Sequence, residues 1–169
     1  MRPVADKLYF EAFPGLTRIE RIEREEQKVL DIEHAIDVIL HFENGMILTG
    51  QEKFLSYKYR RFNSLTVEYE NDPILHIKGD WFHCAAQWYF CGYINEDETG
   101  FEPWVIVWWP QIVMGTLRGQ IHWRHNWNKE DGASASFRYV TMTQLPEWTL
   151  YDYSWRKQAE PIQTMLFVK

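Results

Sequence analysis

The stretch that most constrains the fold is Ala35-Ile36-Asp37-Val38-Ile39-Leu40-His41-Phe42, a β-branched run apolar on both of its alternating faces. Successive side chains of a strand point to opposite sides of a sheet, so a run of this kind suits a central strand covered on both faces. Glu43-Asn44-Gly45 follows as a turn signal, and residues 46–54 read as the returning strand of a hairpin. Two registers are open. A two-residue loop at Asn44-Gly45 pairs position 43 with 46, and therefore 37 with 52. A three-residue loop with Gly45 at positive φ pairs 42 with 46, and therefore 37 with 51. The Glu-Asn-Gly sequence favours the second register, because a left-handed third position wants glycine.

Upstream, residues 1–16 read as an irregular lead-in containing Pro14-Gly15. Thr17-Arg18-Ile19-Glu20 has the pattern of a capping box and predicts a helix to about Leu30. Ile19, Ile22, Val29 and Leu30 would share its apolar stripe. Glu26 lies along that stripe, where a carboxylate has to be paired, at the edge, or bound to something. Downstream, residues 57–70 begin basic and end as a strand, and residues 74–78 suit a further short strand. Asp80 is placed to cap a helix over residues 81–87. Strands are expected at residues 88–94, 101–109, 120–127 and 136–142, with a short helix at residues 111–117. The aromatic segment from Pro146 onward carries no clear periodicity.

A chain of 169 residues fits one domain. Cys84 and Cys91 are too few for a disulfide framework and match no zinc spacing, so reduced thiols in a cytoplasmic protein are expected. The first ten residues have no apolar run of signal-peptide type, and no stretch approaches the roughly 20 apolar residues of a membrane span, so no membrane partner is expected. The net charge of -6 does not favour nucleic-acid binding, but phosphate contacts require local positive charge. Lys53, Lys58, Arg60 and Arg61 form one such cluster, and Arg118, His122, Arg124, His125 and Lys129 a second. The nine Trp, nine Tyr and ten Phe are read first as core and partner surface, and second as rings on which bases could stack.

The chemistry-bearing unit is the hairpin with its acid and its lysine. Metal-dependent hydrolysis of a phosphodiester needs an acid to hold Mg²⁺, a second oxygen ligand, and a cation that positions water or offsets developing charge. Gln51 and Lys53, two apart on a strand, point the same way, and Glu52 points to the other face. His122 and His125 would fall on opposite faces of a strand, which argues against a metal pair. His41 shares a face with Asp37 and is read as structural. No nucleophile elbow, phosphate-binding P-loop or zinc-deaminase signature is present.

The runs Asp-Ile-Glu-His-Ala-Ile-Asp-Val-Ile-Leu at 31–40, Glu-Asn-Gly at 43–45 and Gly-Gln-Glu-Lys at 50–53 resemble the core of the PD-(D/E)XK nuclease superfamily. That group includes restriction enzymes, junction resolvases, repair nucleases and small phage-encoded proteins in which Q-x-K replaces E-x-K. The runs Ser-Leu-Thr-Val-Glu-Tyr and Trp-Tyr-Phe-Cys-Gly-Tyr are also similar to such phage proteins, and the resemblance covers roughly residues 20–110. It implies an α/β (α+β), restriction-endonuclease-like fold: a central mixed β-sheet flanked by helices, with a core at about 17–110 and an aromatic-rich extension at about 111–169. Asp37 would be the metal-binding acid, Gln51 would stand in the usual acid's place, and Lys53 would be the motif lysine. Glu26 would match an acid that some members carry on the preceding helix, with Asp31 as its rival. A neutral Gln51 removes one negative charge from the site, which Glu26 or Asp31 would have to restore.

The implied activity is Mg²⁺- or Mn²⁺-dependent hydrolysis of DNA, with RNA as the alternative substrate and the host cytoplasm as the location of a phage-encoded protein. Lys58, Arg60 and Arg61 would track the phosphate backbone, and a homodimer is compatible with the resemblance. The rival reading is a catalytically inactive binding module on the same fold. A weaker third reading is an aromatic-rich structural or host-inhibitory phage protein.

Overall fold

A computed structural model describes residues 1–23, 27–128 and 135–156. The fold is mixed α+β and is built on two sheets. The larger has six strands, in the order β1 (Leu16–Arg21), β2 (Val38–Phe42), β3 (Ile47–Leu55), β6 (Trp88–Ile94), β7 (Phe101–Trp108) and β10 (Leu150–Tyr153). Within it β3 and β6 run parallel, and the other neighbours antiparallel. The smaller sheet is antiparallel, in the order β5 (Ile77–Lys78), β4 (Ser64–Asp72), β9 (Ala135–Thr141) and β8 (Arg124–Asn128). A parallel pair needs a crossover, and the connection from β3 to β6 carries β4 and β5 of the smaller sheet.

The residues 1–16 expected as an irregular lead-in fold instead into helix α1 (Arg2–Ala12), with Pro3 in its first turn, where its missing N–H costs nothing. Ala5 and Tyr9, with Phe13 just beyond the helix, recur every four residues. They bury against Val38, Leu40, Phe42, Leu48, Trp88, Phe90 and Ile106 on one face of the larger sheet. The opposite face presents Tyr89, Cys91, Tyr93, Val105 and Val107 to Leu65 and Val67 of β4, Val140 of β9, and Trp109 and Ile112 of helix α3 (Trp109–Leu117). A helix thus covers one face, and a second sheet with α3 covers the other. Trp88, Tyr9, Tyr89, Tyr93, Phe13 and Phe90 are all less than 2% exposed. Each removes on the order of 150–250 Å² from water, or about 4–6 kcal/mol of gross transfer free energy. Both cysteines are free, and Cys91 is buried in the core. No helix among the described residues is long and apolar enough to cross a membrane.

The hairpin adopts the three-residue register: Val38 lies opposite Gly50 and Leu40 opposite Leu48. Phe42 N–H donates to Met46 O at 3.0 Å, and Gly45 sits at φ +80°. Two helix expectations are corrected. Residues 17–22 do not open a helix. Ile19 pairs with Leu40 in β1–β2, and the Thr17 hydroxyl donates to His41 O at 2.9 Å instead of capping a turn. An unfilled edge of β2 outcompetes a local capping pattern. The helix that follows, α2 (Lys28–His34), spans seven residues and ends at Ala35 in the left-handed region. Glu26 lies outside the described residues.

The helix expected at 81–87 reduces to a 3₁₀ turn, Asp80–Phe82. Residues 85–87 are drawn out by other partners. Ala85 N–H donates to His34 O, and Gln87 both donates to Thr49 O and accepts from Thr49 N–H. Of the expected aromatic-rich extension, β9 pairs with β4, and from the segment after Pro146 the strand β10 pairs with β7.

Candidate active site

The β2–β3 ladder ends at Val38–Gly50, and Asp37 lies just past it, against residues 50–52 of β3. Asp37 closes that end of the pair. Its N–H donates to Gly50 O at 2.9 Å, and its Oδ2 accepts the Glu52 N–H at 2.8 Å. Gly50 has no side chain because the Trp88 ring occupies the space a Cβ would take. Alternation along β3 then separates three consecutive polar residues.

Glu52 turns toward α1. There it accepts the Tyr9 hydroxyl and an Arg21 Nη1–H, each at 2.5 Å, and Arg21 also pairs with Asp6. The Glu52 side chain is 6% exposed and that of Arg21 13%, so the pair is taken out of water and depends on mutual compensation. Burial, then the Glu52 charge, raises the Tyr9 phenol well above its ordinary value and keeps it a donor.

Gln51 and Lys53 turn to the opposite face. Gln51 is 6% exposed. Its Nε2 donates to Asp80 Oδ2 at 3.4 Å, while its Oε1 is buried without a hydrogen-bond partner. Lys53 Nζ pairs with Glu68 of β4. Asp80 stands on the 3₁₀ turn, with His83 Nε2 3.7 Å from its Oδ1. Burial, then the carboxylates of Glu52, Asp31 and Asp80, push the Asp37 carboxyl up to about 6 against the opposing bond from Glu52 N–H. Burial, then Glu68, raises Asp80, with Lys53 and His83 pulling the other way. Cys84 lies in the same electrostatic field. Burial together with Asp80 and Asp37 pushes its thiol up to about 12, which makes it a poor nucleophile.

The structure therefore brings Asp37, Gln51 and Lys53 to one region, on β3 and at the end of β2. Asp31 is exposed on α2 and acts on Asp37 through its charge. Lys58, Arg60 and Arg61 occupy the exposed 3₁₀ turn Tyr57–Phe62 that follows β3. Lys58 lies 4.7 Å from the Tyr59 ring centroid, Arg60 4.1 Å from that of Tyr57, and Arg61 5.1 Å from that of Phe62. In the second basic cluster Arg118, His122, Arg124 and His125 are exposed, His125 meets the edge of Tyr69, and Lys129 lies outside the described residues. His41 bonds Glu20 and Arg18 across β1, a structural role.

Nothing in the local sequence marks Asp80 or Glu68 as a site residue. Asp80 reads there as a helix cap, and Glu68 as one acid in a strand. The signal that could have found them is an acid at the turn before a fully apolar strand, facing a motif lysine.

Among the described residues, no three His, Cys, Asp or Glu side chains come together closely enough to hold a metal by themselves. The donors available are oxygens, from Asp37, Asp80 and the Gln51 amide, which suit a hard divalent cation such as Mg²⁺ or Mn²⁺. The partnerless Gln51 Oε1 fits that chemistry: it is a buried carbonyl oxygen without a donor, on an amide whose Nε2 bonds the Asp80 carboxylate. No protein-family model matches the chain, and no curated protein or solved structure is significantly similar to it.

Proposed function

We propose that this chain is a divalent-metal-dependent nuclease with a restriction-endonuclease-like core, hydrolysing phosphodiester bonds in DNA. The observation that carries the reading is the buried, unpartnered carbonyl of Gln51, set between an acid-bearing strand end and a lysine of its own strand. Asp37 and Gln51 would hold the ion, and a bound Mg²⁺ or Mn²⁺ would lower the pKa of a coordinated water and offset charge on a phosphoryl oxygen.

The chain's own residues do the rest. The Glu52 N–H fixes Oδ2 of Asp37, and the carboxylate would present its other oxygen to the ion. Lys53 supplies the positive charge beside the reacting phosphate and exchanges its Glu68 partner for that phosphate. The Lys58, Arg60 and Arg61 turn supplies the backbone contacts that set the register of the nucleic acid. The mixed sheet and the antiparallel hairpin that bears the motif support this reading, together with the sequence resemblance.

A second reading has its own observation. Lys53 is engaged by Glu68, and such a pair also serves simply to tie the two sheets together, as in a binding protein that has lost catalysis. Asp37→Asn and Lys53→Met separate the two. A nuclease loses Mn²⁺-dependent cleavage in both variants while folding and DNA binding persist. A binding module shows no cleavage in the parent protein.

A further inference from the structure

We infer that Asp80 provides the second carboxylate of this site, replacing the acid that Gln51 does not supply, so that one hard divalent cation is shared by Asp37, Gln51 and Asp80. The inference rests on the metal-dependent reading above and adds to it a residue from outside the hairpin motif.

Three observations converge on Asp80. Among the described residues it is the carboxylate that touches Gln51, through Oδ2, whereas its Oδ1 faces His83. A ligand carboxylate with a neighbour near its second oxygen is a common outer-shell arrangement of metal-binding acids, and His83 stands in that place without a direct hydrogen bond. Its position is also built. Gly79 N–H donates to Tyr69 O at 2.9 Å, and Cys84 N–H donates to Asp80 O at 2.8 Å. A Cβ on Gly79 would meet the Glu68 backbone at 2.8 Å, so only glycine lets the turn lie this close to β4. The turn is thereby clamped against the strand that carries Glu68, with Asp80 delivered to Gln51.

The third observation is the Gln51 amide itself, which is nine-tenths buried and has its carbonyl unsatisfied. With no cation, one end of the amide bonds Asp80 and the other bonds nothing, and flipping it would set a carbonyl oxygen against a carboxylate. A cation held between them removes the second obstacle: with the amide flipped, Gln51 Oε1 and the Asp80 carboxylate both face positive charge.

The rivals are less suited. Glu68 is engaged with Lys53, and Asp31 stands exposed on α2, where water already solvates it. Two carboxylates and an amide oxygen also match the charge of a divalent ion and leave Lys53 to exchange Glu68 for an incoming phosphate. The smaller sheet then has a functional role: it presents the turn bearing Asp80 to the hairpin of the larger one.

Calorimetric titration of the full-length chain with MnCl₂, without nucleic acid, tests this. The parent protein is expected to bind one Mn²⁺, Asp80→Asn to bind it at least about tenfold more weakly, and Asp31→Asn to bind it within about twofold of the parent. Gln51→Glu in the Asp80→Asn background restores a carboxylate and is expected to recover most of the lost affinity. A readout that needs no variant is the order in which Mn²⁺ broadens the amide signals of the parent protein: those of residues 37, 51 and 80–82 should fade first. Parent affinity retained by Asp80→Asn, or residues 80–82 left sharp while residue 37 broadens, overturns the role of Asp80 and leaves the metal reading standing. No Mn²⁺ binding by the parent protein overturns both.

Discussion

Asp37 illustrates how a single side chain links stability to function. Burial and neighbouring acids lift its carboxyl from the ordinary 3.8 to about 6. The folded state therefore holds this proton more tightly than the unfolded state does. The sign follows: stability declines as pH rises from about 4 to about 6, and stays lowered above that. Asn at this position keeps an oxygen for the Glu52 N–H and removes the charge. Asp37→Asn should thus raise the urea midpoint above pH 6, with the gain vanishing below about pH 4. A parent protein more stable than the variant at pH 8 would show that the charge is compensated by something else. The same titration predicts that Mn²⁺ affinity falls as pH drops through 6, because the ion must displace the proton. Behind the sheet the logic is reversed. Arg21→Met leaves Glu52 buried and uncompensated, and should cost about 3–5 kcal/mol in chemical denaturation.

At the scale of elements, the hairpin was the most legible part of the sequence. Its apolar run, the Glu-Asn-Gly turn and the return strand all agree locally, and Gly45 at φ +80° fixes the register that pairs Val38 with Gly50 and so leaves Asp37 against residues 50–52. Gly45→Ala should lower stability by about 1 kcal/mol and weaken metal binding through a loosened register, measurable by denaturation and calorimetry on one sample. The misread elements share a cause. Thr17 to Glu20 satisfies a helix-start pattern, yet the chain pairs with β2, because an open strand edge is a tertiary demand that no local pattern encodes. Asp80 has the features of a helix cap, yet its helix is pre-empted by the bonds of residues 85–87 to α2 and β3. The acid that most extends the candidate site was therefore hidden where a tertiary contact overrode a local signal. In α1 the spacing of Ala5, Tyr9 and Phe13 was there to be read, but Pro3 and Pro14 draw attention to turns.

At the scale of the whole molecule, the site lies where the two sheets meet, and the net charge of -6 is unevenly used. Acids gather around Asp37 and Asp80, while the Tyr57–Phe62 turn presents three cations to solvent. A polyanion should approach through that turn. Replacing Lys58, Arg60 and Arg61 together by Ser should reduce the slope of log Kd against log salt for duplex DNA by about 2–3, as fluorescence anisotropy would show, and leave Mn²⁺ binding intact. An unchanged slope would move the DNA path elsewhere.

Whether Asp37, Gln51 and Lys53 form a working hydrolytic site is decided by a cleavage assay. The purified chain is incubated with labelled single-stranded, duplex and branched DNA in Mn²⁺, beside Asp37→Asn and Lys53→Met. Cleavage of at least one substrate by the parent protein, abolished by EDTA and by either substitution, is the expected result. Equal cleavage by all three proteins, or none by any of them, would contradict it.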